Sequence, residues 1–244
     1  MKYAILSDIH GNLQALEAVY NDLTKEQVDE IYNLGDFINY GPQSDEVVDF
    51  IIKHNIHSIL GNHEYALLHE ETLANFQIHA RLSFLITKPL ISQKSFDYIR
   101  TLPTHLSTRD LYFVHGIPPD NFSDYVFQLT DSEFSNILDS MKEKLFFAGH
   151  THRQGIYMMD NNHLNGQTMV PNEKNKINDK AMINVGSVGQ PRGKSKKAHY
   201  VIYDAIKNYV MLKTVDYDVD KTIQLLKEKN YPLINIQVLK QNRY

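Results

Sequence analysis

Two periodicities divide this chain. Short apolar runs recur, and each stops at a glycine or at a residue with a ligating side chain. Tyr3-Ala4-Ile5-Leu6 leads to Asp8-Ile9-His10, and Ile31-Tyr32-Asn33-Leu34 to Gly35-Asp36. Ser58-Ile59-Leu60 leads to Gly61-Asn62-His63, Leu111–Val114 to His115, and Leu145–Ala148 to Gly149-His150-Thr151-His152. Runs this short, bounded by turn residues, predict buried strands. Between them the period changes. Leu13, Leu16, Val19, Tyr20 and Leu23 share one face of a helix over 13–23. Ser44, with Glu46 behind it, predicts a capped helix through Lys53. The order β-α-β-α-β implies a parallel sheet with right-handed crossovers.

Residues 65–101 read as helical, with a break at Lys88-Pro89 and a stop at Pro103. Leu106–Thr108 and Leu111–Val114, around Arg109-Asp110, predict a hairpin, followed by a helix over 131–142. The second half is richer in strands: 156–159, 167–170, 181–185, 200–204 and 209–215, with loops over 160–166 and 172–180. A helix is predicted over 219–229, and Pro232–Val238 reads as a final strand without a place in either sheet. Antiparallel strands after a parallel half predict an α/β fold with two packed mixed sheets and helices outside, in one domain over 1–244, because no Gly/Ser/Pro-rich linker interrupts it.

With 42% hydrophobic and 22% charged residues, the composition is that of a globular protein. No apolar run approaches the ~20 residues of a membrane helix, and the N-terminus enters a strand directly, so a cytoplasmic location is expected. Absent cysteine excludes disulfides and thiolate metal sites. The net charge of −4 argues against a protein that wraps extended nucleic acid. One basic cluster, Arg192-Gly193-Lys194-Ser195-Lys196-Lys197, stands against it.

The strand-end residues carry the chemistry. In an open α/β sheet, ligands bind beyond the carboxyl ends of the strands. Residues i and i+2 of an extended segment point to one side, so His150 and His152 are expected to present two imidazoles to one spot. Asp8, His10, Asp36, Asn62, His115, His150 and His152 exceed the three or four ligands of a tetrahedral zinc site. They suit two divalent cations sharing a carboxylate. The mixed nitrogen and oxygen set fits Mn, Fe, Ni, Co or Zn. Two such ions bring four positive charges. Two aspartates and a bridging hydroxide cancel three, which leaves a site attractive to an anion such as phosphate. His63-Glu64 does not continue as a zinc-protease motif, because position 67 is Leu.

Asp8-Ile9-His10-Gly11-Asn12, Gly35-Asp36, Gly61-Asn62-His63-Glu64, His115-Gly116 and Gly149-His150-Thr151-His152 resemble, in order, the five blocks of the calcineurin-like metallophosphoesterase superfamily. Asn39-Tyr40-Gly41-Pro42 and Asn184–Arg192 are similar to its small bacterial and archaeal phosphodiesterase branch. The resemblance implies a four-layer α/β/β/α sandwich. It implies that Asp8, His10 and His152 hold one metal, Asn62, His115 and His150 a second, and that Asp36 bridges them. It also implies that His63 acts beside the phosphate as the catalytic residue, and it leaves Asn12 and Arg192 as substrate contacts. Protein phosphatases of the superfamily carry Asp-Arg-Gly where Asn39-Tyr40-Gly41 stands here, which speaks against phosphoprotein substrates.

The expected activity is therefore hydrolysis of phosphodiesters, with phosphomonoesters as further substrates, by a metal-bridging hydroxide on small or nucleotide-like molecules. The rivals are a partner-binding scaffold on the same fold and a nuclease. The sequence sets neither the metal nor the oligomeric state.

Overall fold

The computed structural model describes residues 1–108, 110–122, 124–192 and 196–241. Lys194, in the basic cluster, and Arg109, in the hairpin turn, lie outside the described residues. The chain begins with β1 (Lys2–Leu6), α1 (Leu13–Glu26), β2 (Glu30–Asn33), α2 (Ser44–Lys53) and β3 (His57–Ser58). Three helices follow: α3 (Asn62–Leu68), α4 (Ile78–Thr87) and α5 (Gln93–Ile99). Then come β4 (His105–Ser107), β5 (Leu111–Val114), α6 (Asp131–Ser140) and β6 (Leu145–Ala148). The remainder is β7 (Gln154–Asp160), β8 (His163–Gln167), β9 (Lys174–Lys176), β10 (Ala181–Val185), β11 (Ala198–Asp204), β12 (Tyr209–Val215), α7 (Val219–Glu228) and α8 (Leu233–Gln241).

The strands form two six-stranded mixed sheets, ordered β3-β2-β1-β11-β12-β9 and β4-β5-β6-β10-β7-β8. The apolar runs are continuous because both faces of the central strands are covered. In β1, Tyr3 and Ile5 enter the core between the sheets, while Ala4 and Leu6 face α1 and α2. In β6, Leu145 and Phe147 enter the same inter-sheet core, and Phe146 and Ala148 pack with Phe134 and Leu138 of α6. The layers are therefore helix, sheet, sheet, helix, as the resemblance implies. The parallel pairs β1–β2, β2–β3, β5–β6 and β6–β10 aim the carboxyl ends of both sheets at one rim.

Four local expectations are corrected. Pro232–Val238 is not a strand: Leu233–Gln241 is helical, with Ile236 and Leu239 packed on Val219, Ile223 and Leu226 of α7. The strand expected at 167–170 instead occupies His163–Gln167, inside a stretch read as loop, and Lys174–Lys176 forms an edge strand within the other loop. Ser44 is the first residue of α2 rather than its cap, and its hydroxyl accepts the Asn39 N–H at 3.0 Å. Among the described residues, no helix is long and apolar enough to cross a membrane.

Candidate metal centre

The loops after β1, β2, β3, β5 and β6 meet at the rim. Asp8, His10, Asp36, His150 and His152 all have left-handed backbones, with φ of 53°, 48°, 53°, 65° and 57°. Asp and His tolerate that region better than most residues, yet each still costs on the order of 1–3 kcal/mol and must be held from outside. Backbone bonds between loops do this. Asp8 N–H donates to Gly35 O at 3.0 Å, His10 N–H to Asp36 O at 2.9 Å, and Gly149 N–H to His115 O at 2.8 Å. Two glycines allow the close approach. A Cβ on Gly61 would lie 2.2 Å from Asp36 Oδ1, and one on Gly149 would lie 1.9 Å from Ser7 Oγ.

This geometry corrects the extended reading of Gly149–His152. With both histidines left-handed, the two rings part. His152 joins Asp8 and His10, whereas His150 joins Asp36 and His115, and in each trio the ligating atoms lie within 4.8 Å of one another.

The tautomers follow from the partners. Nδ1 of His10 donates to Ile38 O (3.1 Å), Nδ1 of His152 to Gln190 O (2.7 Å), and Nδ1 of His115 to Leu34 O (2.8 Å). A carbonyl only accepts, so each Nδ1 carries the proton, and in a neutral ring Nε2 is left as a lone pair. Burial lowers His10 to about 3 and His152 well below the usual histidine range, so both rings are neutral. Their Nε2 atoms nevertheless sit 3.1 Å apart, with Asp8 Oδ1 3.2 Å from that of His152 and 3.8 Å from that of His10. Asp8 Oδ1 is buried and accepts no hydrogen bond, and burial pushes that carboxyl up to about 7. Three acceptor atoms converging this closely require a proton or a cation among them. The donor set, two imidazoles and a carboxylate, fits a divalent transition metal.

Asp36 faces the other trio. Its Oδ2 lies 3.2 Å from Nε2 of His115, 3.7 Å from that of His63 and 3.8 Å from that of His10. Asn62 Oδ1 is 3.1 Å from the same His115 nitrogen. Burial opposes charge on His115, but the Asp36 carboxylate outweighs it and lifts the imidazole to about 9. Conversely, burial would raise Asp36, but His115 and His63 hold it well below the usual carboxylate range. A proton on His115 Nε2 thus satisfies Asp36 and Asn62. A cation would satisfy them in the same place.

His63 also lies near Asp36 and His10, but its tautomer is opposite. Asn39 Oδ1 accepts the Tyr40 N–H at 2.7 Å, and Asn39 Nδ2 donates to Ala80 O at 3.2 Å, which fixes the amide orientation. The same Nδ2 donates to His63 Nδ1 at 2.8 Å. The neutral ring therefore carries its proton on Nε2 and presents a donor to the centre. Burial holds His63 down at about 4. Tyr40 and Phe76 pack on the ring at centroid distances of 4.9 and 4.8 Å.

The Asn12 amide, expected at the substrate, is engaged in hydrogen bonds within the protein. Its Oδ1 caps α1 by accepting Ala15 N–H (3.2 Å), and its Nδ2 donates to Gly189 O (2.9 Å). Arg192 is exposed at the rim, and its charge helps depress His152, His63 and His79.

Two residues without an expected role prove central. Glu64 is fully buried and accepts four backbone N–H groups, from Asp36, Phe37, Ile38 and Gly61, at 2.7–3.0 Å. Tyr125 stacks on His150 with centroids 4.5 Å apart and planes 9° from parallel. Glu64 follows His63 directly, but spacing says nothing of bonds to a loop 27 residues earlier. Tyr125 sits in a loop with no pattern.

Residues 1–208 match the model of the calcineurin-like phosphoesterase superfamily domain. An uncharacterized protein of Methanocaldococcus jannaschii is 31% identical over 94% of this chain and 93% of its own length. The crystal structure of a metallophosphoesterase from Sphaerobacter thermophilus superposes with a TM-score of 0.87, at 29% identity, over 99% of both chains. A symmetrical bis(5'-nucleosyl)-tetraphosphatase of Pseudomonas putida is 32% identical over 48% of this chain and 42% of its own length.

Proposed function

Because this chain belongs to the calcineurin-like phosphoesterase superfamily, we propose that it hydrolyses phosphodiester bonds in small, nucleotide-like substrates with two divalent cations. Asp8, His10 and His152 would hold one cation and Asn62, His115 and His150 the other, with Asp36 as the ligand common to both. When bound, the cations supply Lewis acidity to a phosphoryl oxygen and bring the pKa of a water toward ~7.

The protein's own groups do the rest. The Nδ1–H bonds of His10, His115 and His152 to carbonyls keep three Nε2 atoms aimed inward. His63, held as the Nε2–H tautomer by Asn39, donates to the phosphate or to the leaving oxygen. The Arg192 guanidinium at the rim attracts an anionic substrate. The tetraphosphatase relative supports a nucleotide-like substrate, and the absence of Asp-Arg-Gly at 39–41 supports a small one.

The carrying observation is the 3.1 Å approach of His10 Nε2 to His152 Nε2 with both Nδ1 protons already committed. The test is turnover of bis(p-nitrophenyl) phosphate and p-nitrophenyl phosphate by the full chain with added Mn, Ni or Zn. Metal-dependent cleavage, faster on the diester, is expected. A folded protein inert with every metal overturns the reading.

A further inference from the structure

The match to the superfamily domain ends at residue 208, before α7 and α8. These two helices share a small core of Val219, Ile223, Leu226, Tyr231, Ile236 and Leu239. Polar side chains of α8 and of the connection between the two helices reach toward the metal centre. Asn235, 2% exposed, donates from Nδ2 to Tyr40 O at 2.7 Å and to Ser83 Oγ at 2.8 Å. Tyr231 OH bonds Thr87 Oγ1 at 2.9 Å, and Thr87 Oγ1 donates to Asn39 Oδ1 at 3.4 Å. Lys229 Nζ donates to Pro42 O at 2.6 Å. Leu226, Asn235 and Leu239 line one small cavity with His10, Tyr40 and Gln190.

Apart from the Asn235–Ser83 bond, each of these grips the segment 39–42 directly or through one residue. That segment is strained. Asn39 and Tyr40 are consecutive left-handed residues, with φ of 69° and 59°. A bulky tyrosine there is disfavoured far more than an asparagine. Such a backbone persists only when its surroundings over-determine it. Its conformation delivers two things to the centre. The Tyr40 ring packs on His10 and His63, at 4.8 and 4.9 Å. The Asn39 amide is oriented with Oδ1 toward Tyr40 N–H and Thr87, leaving Nδ2 for His63 Nδ1.

We infer that α7 and α8 form a clamp that holds segment 39–42 so that Asn39 keeps His63 as the Nε2–H tautomer, with Asn235 and Tyr231 as its positioning residues. The consequence for turnover rests on the donor role proposed for His63. The tautomer itself does not.

Two variants test the clamp in the full chain. Asn235→Asp keeps the size but, ionised, cannot donate to Tyr40 O. Tyr231→Phe removes a single hydroxyl. Long-range nitrogen–proton NMR of the His63 ring, recorded without added metal, reads the tautomer. The wild type is expected to show a bare Nδ1 and a protonated Nε2, and each variant a mixture of the two tautomers. With manganese, kcat is compared on bis(p-nitrophenyl) phosphate and on diphenyl phosphate, whose leaving group is more basic. A positioned donor matters more for the poorer leaving group. The expected loss in each variant is about tenfold or more on the phenyl ester, within about threefold on the p-nitrophenyl ester, with KM within about twofold.

An unchanged His63 tautomer in the folded variants overturns the clamp, whereas a shifted tautomer with an equal loss on both esters overturns the donor role of His63 and leaves the clamp standing. If the wild type turns over neither ester with any metal, the hydrolase reading falls, while the NMR comparison still decides the clamp. Should Asn235→Asp fail to fold, Tyr231→Phe decides it alone.

Discussion

Oδ1 of Asp36 accepts the backbone N–H of His63 at 2.9 Å, and that bond turns Oδ2 toward three imidazoles at once. Among the described residues, Asp8 Oδ1 has a shorter reach, meeting His10 and His152 within 4 Å. Asp36 thus lies within 4 Å of an imidazole from each ligand trio. Asp36→Ala is expected to lower kcat/KM by about a hundredfold or more, since even an indirect partner of a metal ligand is worth about 10–100-fold. It is also expected to cost more than His10→Ala. Steady-state kinetics at saturating manganese checks the order, and a milder loss for Asp36→Ala refutes the bridging assignment.

Glu64 acts on the same loop from behind. Its Oε2 takes the N–H groups of Asp36 and Gly61, and its Oε1 those of Phe37 and Ile38. Burial and the Asp36 charge push its carboxyl up to about 7, while these N–H bonds pull it down. Glu64→Gln leaves one amide oxygen for the same four donors, so two of them face an NH2 group. At about 1–3 kcal/mol per buried unpaired donor, a loss of about 3 kcal/mol is expected. For a domain of this size that lowers Tm by roughly 6–12 °C. A thermal melt of the variant within 2 °C of the wild type, on that ~6–12 °C scale, would show that Glu64 is dispensable to the loop.

The gathering of Asp8, His10, Asp36, His115, His150 and His152 at one rim was legible because each stands just past an apolar run, and a strand must end where its sheet does. How the backbone turns there was not legible. Nothing in Gly149-His150-Thr151-His152 distinguishes an extended tail from two left-handed turns, since the choice depends on bonds to His115, Asp8 and Arg192 from other loops. Asn39 reads as a departure from the phosphatase pattern, but its contact with His63 spans 24 residues and has no periodic trace. The edge strands β8 and β9 were missed because they are polar and largely exposed, so burial leaves no pattern in them. The last helix was misread because Leu233, Ile234, Ile236 and Val238 mimic a strand. Docking on α7 overrides that local preference, burying Ile236 and Leu239 and leaving Leu233 exposed.

Gly149 carries a prediction of its own. A methyl group there would meet Ser7 Oγ at 1.9 Å and Asp8 Oδ2 at 2.6 Å, in an interior with no slack. Asp8 Oδ2 also accepts the His150 N–H at 3.0 Å, so displacing it disturbs both trios. Gly149→Ala is expected to weaken manganese binding by about tenfold or more, and to destabilise the fold by about 1–3 kcal/mol, as overpacking does. Calorimetric titration and a melt read the two effects separately. Wild-type manganese affinity in Gly149→Ala would show that Asp8 can shift without loss.

His199, on β11, gives the pH dependence. The residue is 4% exposed, and neither ring nitrogen has a hydrogen-bond partner. Burial lowers the imidazole from 6.5 to about 4. The unfolded chain therefore binds a proton below about pH 6.5 that the folded chain refuses until about pH 4, so stability is full above 6.5 and is lost as the pH falls through that window. At pH 5 the loss is about 2 kcal/mol. His10, His63 and His152 are also depressed, but they titrate in wild type and variant alike and cancel in the comparison. His199→Leu removes the proton site and the two unsatisfied nitrogens. Its Tm is expected to equal or exceed the wild type at pH 7.5, and to exceed it at pH 5 by roughly 4–8 °C more than at pH 7.5. Melting curves at the two pH values measure that difference directly. Parallel losses in both proteins between pH 7.5 and 5 would show that His199 is protonated in the folded state and that its burial carries no acid penalty.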